Sequence, residues 1–254
     1  MKIICIGVGE AWDIIPNNSY LVSSKSGKTT MLLDCGFSIP PALWKHDADP
    51  NLLDAIFISH PHADHYFGLP ALLGRMWQDG RNKSLSIICG KGMKKQIESV
   101  IDAGYAGLMD KHLKAAFSLT FIEVTPGQKI TFQEFKLAFA PTIHPVPNLA
   151  VKIQCEKKVL CYSGDGQYTE QSELLYQHAD LVIHESFTWD ADVEGHGKMK
   201  ELLVMEKRAK IKKIAFTHIR RDVRKQLAMI KNSIKENQPS VHVLFPEVGD
   251  MIEV

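Results

Sequence analysis

The sequence has no hydrophobic run near the roughly 18 to 20 residues that a membrane helix needs; its longest apolar stretches, such as Ala55-Ile56-Phe57-Ile58, are strand-sized. No segment therefore reads as a bilayer span. Net charge is also nearly absent. A formal +1 gives no global field that would draw the chain to nucleic acid or an acidic membrane, so any polyanion contact is local. The five cysteines (Cys5, Cys35, Cys89, Cys155, Cys161) contain no C-x-x-C pair and are odd in number, which fits reduced, buried thiols better than a disulfide frame. The first residues carry one Lys and a brief apolar run before Glu10 and Asp13, without a small-residue cleavage pattern. A cytoplasmic location is the expectation. Repeats, low-complexity tracts and linker-like stretches are lacking too, so residues 1–254, 45% of them hydrophobic, are expected to form a single domain with a sizeable core.

What is present is a succession of short β-branched and aromatic runs punctuated by Gly, Pro and Asn, with helical periodicity between some of them. Strands are expected at 3–7, 19–23, 30–34, 55–59, 86–89, 120–124, 135–140, 150–155, 159–163, 181–184, 214–217 and 241–245. Helices are expected at 70–76, 92–117 with a break at 104–107, 170–178, 199–210 and 221–237. Many strands with flanking helices imply helix layers over sheet faces, an α+β architecture.

The polar residues fall in a pattern relative to these strands. The run at 55–59 leads into His60, 135–140 is followed by His144, 159–163 leads into Asp165, and 214–217 into His218. Each ends in a metal-ligand residue type, and strands that stop at one edge can bring such residues to a single site. The segment His60-Pro61-His62-Ala63-Asp64-His65 concentrates three of the eleven histidines. From this composition, H-x-H-x-D-H arises by chance in roughly one chain per thousand, so a set of solvated histidines is a poor account of it. In extended chain His60 and His62 point to one side and can reach one ion. Asp64 and His65, where the chain turns, can face a second ion about 3.5–4 Å away. Imidazole and carboxylate without thiolate suit Zn²⁺, with Mn²⁺ and Fe²⁺ as alternatives.

The motif, with single His, Asp and His residues at later strand ends, resembles the metallo-β-lactamase superfamily, and the resemblance runs from Asn18-Ser19-Tyr20-Leu21 and Leu33-Asp34-Cys35-Gly36 to Phe216-Thr217-His218. It implies a four-layer αββα sandwich with a dinuclear site at one edge. His60, His62 and His144 would hold one metal and Asp64, His65 and His218 the second, with Asp165 bridging. Asp at the bridge favours the branches that act on phosphodiesters. Ile183-His184-Glu185-Ser186-Phe187 and Gly195-His196-Gly197-Lys198 resemble the paired loops of ribonuclease Z-like phosphodiesterases, which implies a hydrogen-bonded Glu185–His196 pair with His196 at the scissile phosphate. The catalytic set implied is Asp64, Glu185 and His196: Asp64 orients the attacking hydroxide or takes its proton, and His196 donates to the leaving oxygen.

The chain departs from the tRNA-processing enzymes at Gly197-Lys198 and at Phe37-Ser38-Ile39-Pro40, and the 20 residues between His144 and Asp165 leave no room for a long tRNA-binding arm. The expected substrate is thus a small-molecule, nucleotide or cyclic phosphodiester, with RNA ends also open; no membrane partner is expected, and a homodimer is compatible with the sequence. A carbonyl hydrolase acting on a thioester, lactone or β-lactam, or a non-catalytic metal-binding relative, are the alternative readings. Arg220, Arg221 and Arg224 are either a phosphate contact or a solvated helix start, and Lys198 is a further cation near the expected phosphate. Asp34 is either a hydrogen-bond acceptor for a ligand imidazole or an ordinary turn carboxylate. His184 is expected to be a buried structural residue, and His46, His112, His178 and His242 to lie at the surface. Gly7-Val8-Gly9-Glu10 reads as a loop beside the metal cleft, and Trp12 either lines that cleft or packs in the core.

Overall fold

The computed structural model describes residues 1–238 and 242–254. Its strands are β1 (Lys2–Gly7), β2 (Ser19–Ser23), β3 (Thr30–Leu33), β4 (Ala55–Ile58), β5 (Leu85–Gly90), β6 (Leu119–Val124), β7 (Lys129–Phe132), β8 (Phe135–Pro141), β9 (Leu149–Cys155), β10 (Lys158–Tyr162), β11 (Leu181–Glu185), β12 (Ile214–Thr217), β13 (Val243–Leu244) and β14 (Met251–Glu253). The helices are α1 (Ile39–His46), α2 (Ala63–Tyr66), α3 (Leu69–Gln78), α4 (Met93–Gly104), α5 (Lys114–Ala116), α6 (Glu170–Tyr176), α7 (Met199–Ala209), α8 (Arg221–Arg224) and α9 (Leu227–Asn237), with a π-helical segment at Leu108–Leu113.

The strands form two seven-stranded sheets, ordered β14-β1-β2-β3-β4-β5-β6 and β13-β12-β11-β10-β9-β8-β7. Period-two alternation gives each sheet two apolar faces. Ile3, Cys5, Ala55 and Phe57 point inward to meet Phe139, Val151, Tyr162 and Ile183 of the other sheet. Phe57 and Phe139 stack across the interface with ring centroids 5.9 Å apart. The alternate residues Ile4, Ile6, Ile56 and Ile58 face outward, onto Leu43, Leu72, Leu73 and Ile97 of α1, α3 and α4. On the far side Cys161, Val182, Ile214 and Phe216 pack on Tyr176, Leu202, Leu203 and Ile230 of α6, α7 and α9. Three cores thus separate four layers, the αββα sandwich that the resemblance implies. Each fully buried Ile, Leu or Phe contributes about 1.5–3 kcal/mol of transfer free energy.

Topology positions the site. Strands β3 to β6 run parallel, as do β10 to β13, and β8 lies two antiparallel steps from β10, so it shares that direction. The carboxyl ends of β4, β8, β10, β11 and β12 therefore open on one edge of the sandwich, where α/β sheets bind ligands.

Two short strands, β7 and β14, and the helices α1 and α2 were not expected from the sequence. In α1 the prolines occupy the first turn, where a missing N–H costs nothing. The expected helix at 221–237 is broken between α8 and α9 at Lys225 and Gln226. Of the expected strand at 241–245, Val243–Leu244 is a strand and Val241 lies outside the described residues. All five cysteines are buried and free. Among the described residues no helix is long and apolar enough to cross a membrane.

Candidate metal centre

Strand β4 ends at Ile58 and leads through Ser59 into His60 and His62; α2 then turns Asp64 and His65 inward. Gly36 makes this turn fit: a Cβ there would lie 1.9 Å from the Asp64 carbonyl oxygen. Asp165 sits in a tight loop after β10. Gly164 there has φ +61, and its own Cβ would meet Asn148 Oδ1 at 2.4 Å, so only glycine fits. Asn148 holds the loop by donating to the carbonyl oxygens of Ser163 and Asp165, both at 2.8 Å. His218 follows β12 at φ +52, its N–H bonded to the Val8 carbonyl at 3.1 Å, which puts the Gly7-Val8-Gly9 loop beside the cluster.

These residues converge into two groups, His60/His62/His144/Asp165 and Asp64/His65/Asp165/His218, whose donor atoms within each group lie within 4.8 Å of one another. Asp165 belongs to both. His60 Nε2 and His144 Nε2 each lie 3.1 Å from His62 Nδ1, near the roughly 3.3 Å that tetrahedral ligands about 2.05 Å from zinc would show.

The far-side hydrogen bonds fix which nitrogens face inward. His144 Nδ1–H donates to the Gly195 carbonyl at 2.9 Å and His65 Nδ1–H to Asp34 Oδ2 at 2.7 Å. Ser59 Oγ donates to Asp34 Oδ2, so at 3.0 Å it accepts from His60 Nδ1–H. In each ring Nε2 is thereby left with its lone pair toward the centre. The His65 Nε2 lone pair meets Asp165 Oδ1 at 3.3 Å, both atoms buried and without a hydrogen-bond partner. Converging lone pairs and carboxylates suit a cation: the donor set fits divalent metal.

Electrostatics agree. Burial, reinforced by neighbouring imidazoles, pushes the pKa values of His60 and His62 down, keeping them neutral as ligation requires. Burial alone would raise Asp64 and Asp165, but His65 and His218, whose own pKa values the facing carboxylates push up against burial, outweigh it and hold both carboxyls well below the usual range; a bound cation would take over that positive charge and leave the two rings neutral.

Asp34 is the acceptor, not a turn carboxylate. Fully buried, it takes hydrogen bonds from Ser59 N, Ser59 Oγ, His65 and, at 2.6 Å, the Tyr162 hydroxyl. Glu185 and His196 meet as the resemblance implies: His196 Nδ1 lies 2.5 Å from Glu185 Oε1, while Glu185 Oε2 accepts from the Gly166 and Gly197 N–H groups. His196 stacks on Phe187 at 4.2 Å and stands edge-on to His144 at 5.4 Å. Burial opposes charge on His196, but the Glu185 hydrogen bond wins and raises its pKa.

The four cations are each paired with carboxylates, and the Arg220 guanidinium also lies over the Phe187 ring at 5.8 Å. Arg220 is bidentate to Asp222, Arg221 pairs with Glu10, Arg224 faces Asp13 at 3.4 Å, and Lys198 pairs with Asp192 and Glu201. Trp12 is not in the core, being 75% exposed. His184 is buried beside Tyr176, and its Nδ1–H donates to the Glu185 carbonyl at 2.6 Å. His46, His178 and His242 are exposed, and His112 is half-buried on the Trp77 ring. Ser59, Asn148, Tyr162 and Phe187 are the supporting residues that sequence reading missed. Ser59 alone carried a signal, its place between strand and ligand.

Two helix-flanked sheets with a His/Asp cluster at their common edge define a metallo-β-lactamase fold protein. The structure matches that of the metallo-beta-lactamase fold protein YhfI from Bacillus subtilis with a TM-score of 0.81 and 25% identity, over 100% of this chain and 98% of that one. Human tRNase Z, short form, shares the fold with a TM-score of 0.78 at 19% identity, over 100% and 99%. The chain belongs to the family described as Anti-Pycsar protein Apyc1, whose model matches residues 1–234. Among curated relatives, ribonuclease Z of Methanocaldococcus jannaschii is 24% identical over 97% of this chain and 95% of its own length. That of Staphylococcus epidermidis is 24% identical over 88% and 89%.

Proposed function

We propose that the chain is a dinuclear metal-dependent phosphodiesterase acting on small or cyclic phosphodiesters or RNA ends, in preference to structured tRNA precursors. The observation that carries this reading is the Glu185–His196 pair standing beside the two ligand groups. A metal-storing protein has no use for an oriented proton donor. Relatives named ribonuclease Z support the same substrate chemistry.

In this reading His60, His62 and His144 would hold one ion and Asp64, His65 and His218 the other, with Asp165 available to both groups; Zn²⁺ suits the donors, and Mn²⁺ and Fe²⁺ are alternatives. Bound there, divalent metal supplies Lewis acidity toward a phosphoryl oxygen and lowers the pKa of water toward 7. The chain's own groups do the rest. Glu185 holds Nδ1 of His196, which leaves Nε2 to carry the proton that the leaving oxygen needs. Phe187 fixes the plane of that imidazole by stacking, and Asp64 would take or orient the proton of the attacking water. Lys198 and the three arginines act in this account by holding loops through their ion pairs.

The test is turnover by metal-loaded protein of bis(p-nitrophenyl) phosphate, nitrocefin and an aryl thioester side by side. Phosphodiester hydrolysis should dominate; faster turnover of either carbonyl substrate would refute the reading.

A further inference from the structure

The segment Asn18-Ser19-Tyr20 has no part in the proton transfers of the reaction, yet all three residues are fully buried, as are Asp34 and Tyr162. Tyr20 on β2 and Tyr162 on β10 point from opposite sheets into the apolar core between them, their rings edge-on with centroids 5.6 Å apart. Packing asks only for the rings. A hydroxyl left unpaired in such a core costs free energy, so each needs a partner.

The partners form one hydrogen-bond chain, whose protons can be ordered from its anionic end. Asp34 as a carboxylate only accepts, so the Tyr162 hydroxyl donates to its Oδ2, at 2.6 Å. The Tyr162 oxygen then accepts from Asn18 Nδ2 at 3.3 Å, which leaves Asn18 Oδ1 to accept from the Tyr20 hydroxyl at 2.6 Å. Burial pushes both phenols well above their usual pKa range, so both keep the proton that this order requires. Ser19 Oγ donates to the Asp34 backbone carbonyl at 2.8 Å, and Asp34 sits at φ +58, a region that few residues other than glycine adopt. The segment therefore holds Asp34 by its main chain directly and by its carboxylate through Tyr162. On the same Oδ2 ends the His65 Nδ1–H, at 2.7 Å. The second ligand group draws on both sheets, since Asp64 and His65 follow β4 while Asp165 and His218 follow β10 and β12. Its geometry depends on a fixed spacing between the sheets, which this chain spans.

Resting on the two-ion reading, we propose that Asn18, Tyr20 and Tyr162 are positioning residues for the second ion: a buried polar strut that holds the Asp34 carboxylate in the orientation that keeps His65 Nδ1 protonated and its Nε2 aimed at the metal. They act through Asp34 and His65 alone. The effect of removing a hydroxyl should therefore fall off with its distance along the chain from the carboxylate, and should not follow from loosening the core as such.

The test compares Tyr162→Phe and Tyr20→Phe, each lacking one oxygen, with Phe135→Leu, which loosens the same core without touching the hydrogen-bond chain. In competition titration of zinc against a chromophoric chelator, Tyr162→Phe should weaken about tenfold the ion that His65→Gln also loses. Tyr20→Phe should weaken it less, and Phe135→Leu should leave both ions unchanged. In metal-free protein carrying ¹⁵N-histidine, the Nδ1–H signal of His65, assigned by its absence from His65→Gln, should exchange with solvent faster in both tyrosine variants and at the native rate in Phe135→Leu. Zinc affinities unmoved by the tyrosine variants, or lowered equally by Phe135→Leu, would overturn the strut. If the native protein binds no second ion, the two-ion reading falls on its own. The exchange rates then decide: faster exchange in the tyrosine variants alone supports the strut, and equal rates in all three variants overturn it.

Discussion

Asp34→Asn changes one atom and should disable one metal position. The carboxylate accepts from four donors, with Oδ1 facing the Ser59 N–H and Oδ2 facing Ser59 Oγ, the Tyr162 hydroxyl and His65 Nδ1. An amide must turn its NH₂ toward one set. Facing Ser59 N, it leaves two buried donors opposed, at a cost of about 1–3 kcal/mol. Facing the other set, it meets two hydroxyls that can rotate to accept, but His65 must then accept at Nδ1 and move its proton to Nε2, the nitrogen aimed into the second ligand group. The first keeps the His65 Nδ1–H bond but to a neutral amide oxygen in place of a carboxylate, the second takes the Nε2 lone pair away, and weakening or loss of such an outer hydrogen bond typically lowers metal affinity about 10- to 100-fold. The backbone does not confound the test, because Asp34 sits at φ +58, a region asparagine also tolerates. Competition titration against a chromophoric zinc chelator should show one ion weakened by that factor and the other nearly unchanged, while urea unfolding of the metal-free variant should show a loss of about 1–3 kcal/mol. Two ions bound at wild-type affinity by a variant of undiminished stability would refute the reasoning.

His62→Ala should abolish phosphodiester hydrolysis and weaken the first ion while circular dichroism stays native, since the side chain lies at a half-exposed loop position outside all three cores. His196→Ala should lower kcat for poor leaving groups by about 10²- to 10⁴-fold but affect p-nitrophenolate release much less, with Glu185→Gln giving a milder version. Metal content should not change in either variant; equal losses for all leaving groups would remove His196 from its role as proton donor. All five cysteines are buried, and burial pushes the thiols of Cys5, Cys89 and Cys161 up to about 12, so Ellman's reagent should find none in the native protein and five after denaturation. Rapid native labelling would contradict the packing described.

How far the sequence reveals the site depends on how local each residue's role is. His60, His62, Asp64 and His65 lie within six positions, so their spacing alone aims them together. His144, Asp165 and His218 are legible because each follows an apolar strand and such strands end on one edge. Asp34 is half-legible: it closes a strand too, but its donors include Tyr162, 128 positions away, and no local pattern announces that bond. Asn148 and Phe187 act through a carbonyl clamp and a ring stack, which leave no periodic trace. At the fold level, apolar periodicity identifies the central strands, buried on both faces. It misses the marginal β7 and β14, where residues are mostly exposed or half-buried, and α1, whose prolines mimic a break.

The most direct test of the account is a metal titration of chelator-stripped protein, followed by the rate of bis(p-nitrophenyl) phosphate hydrolysis. Two ligand groups sharing Asp165 predict a rate that rises from near zero and levels off at about two divalent ions per chain. Full activity without added metal, or saturation at one ion per chain or fewer, would contradict a dinuclear centre.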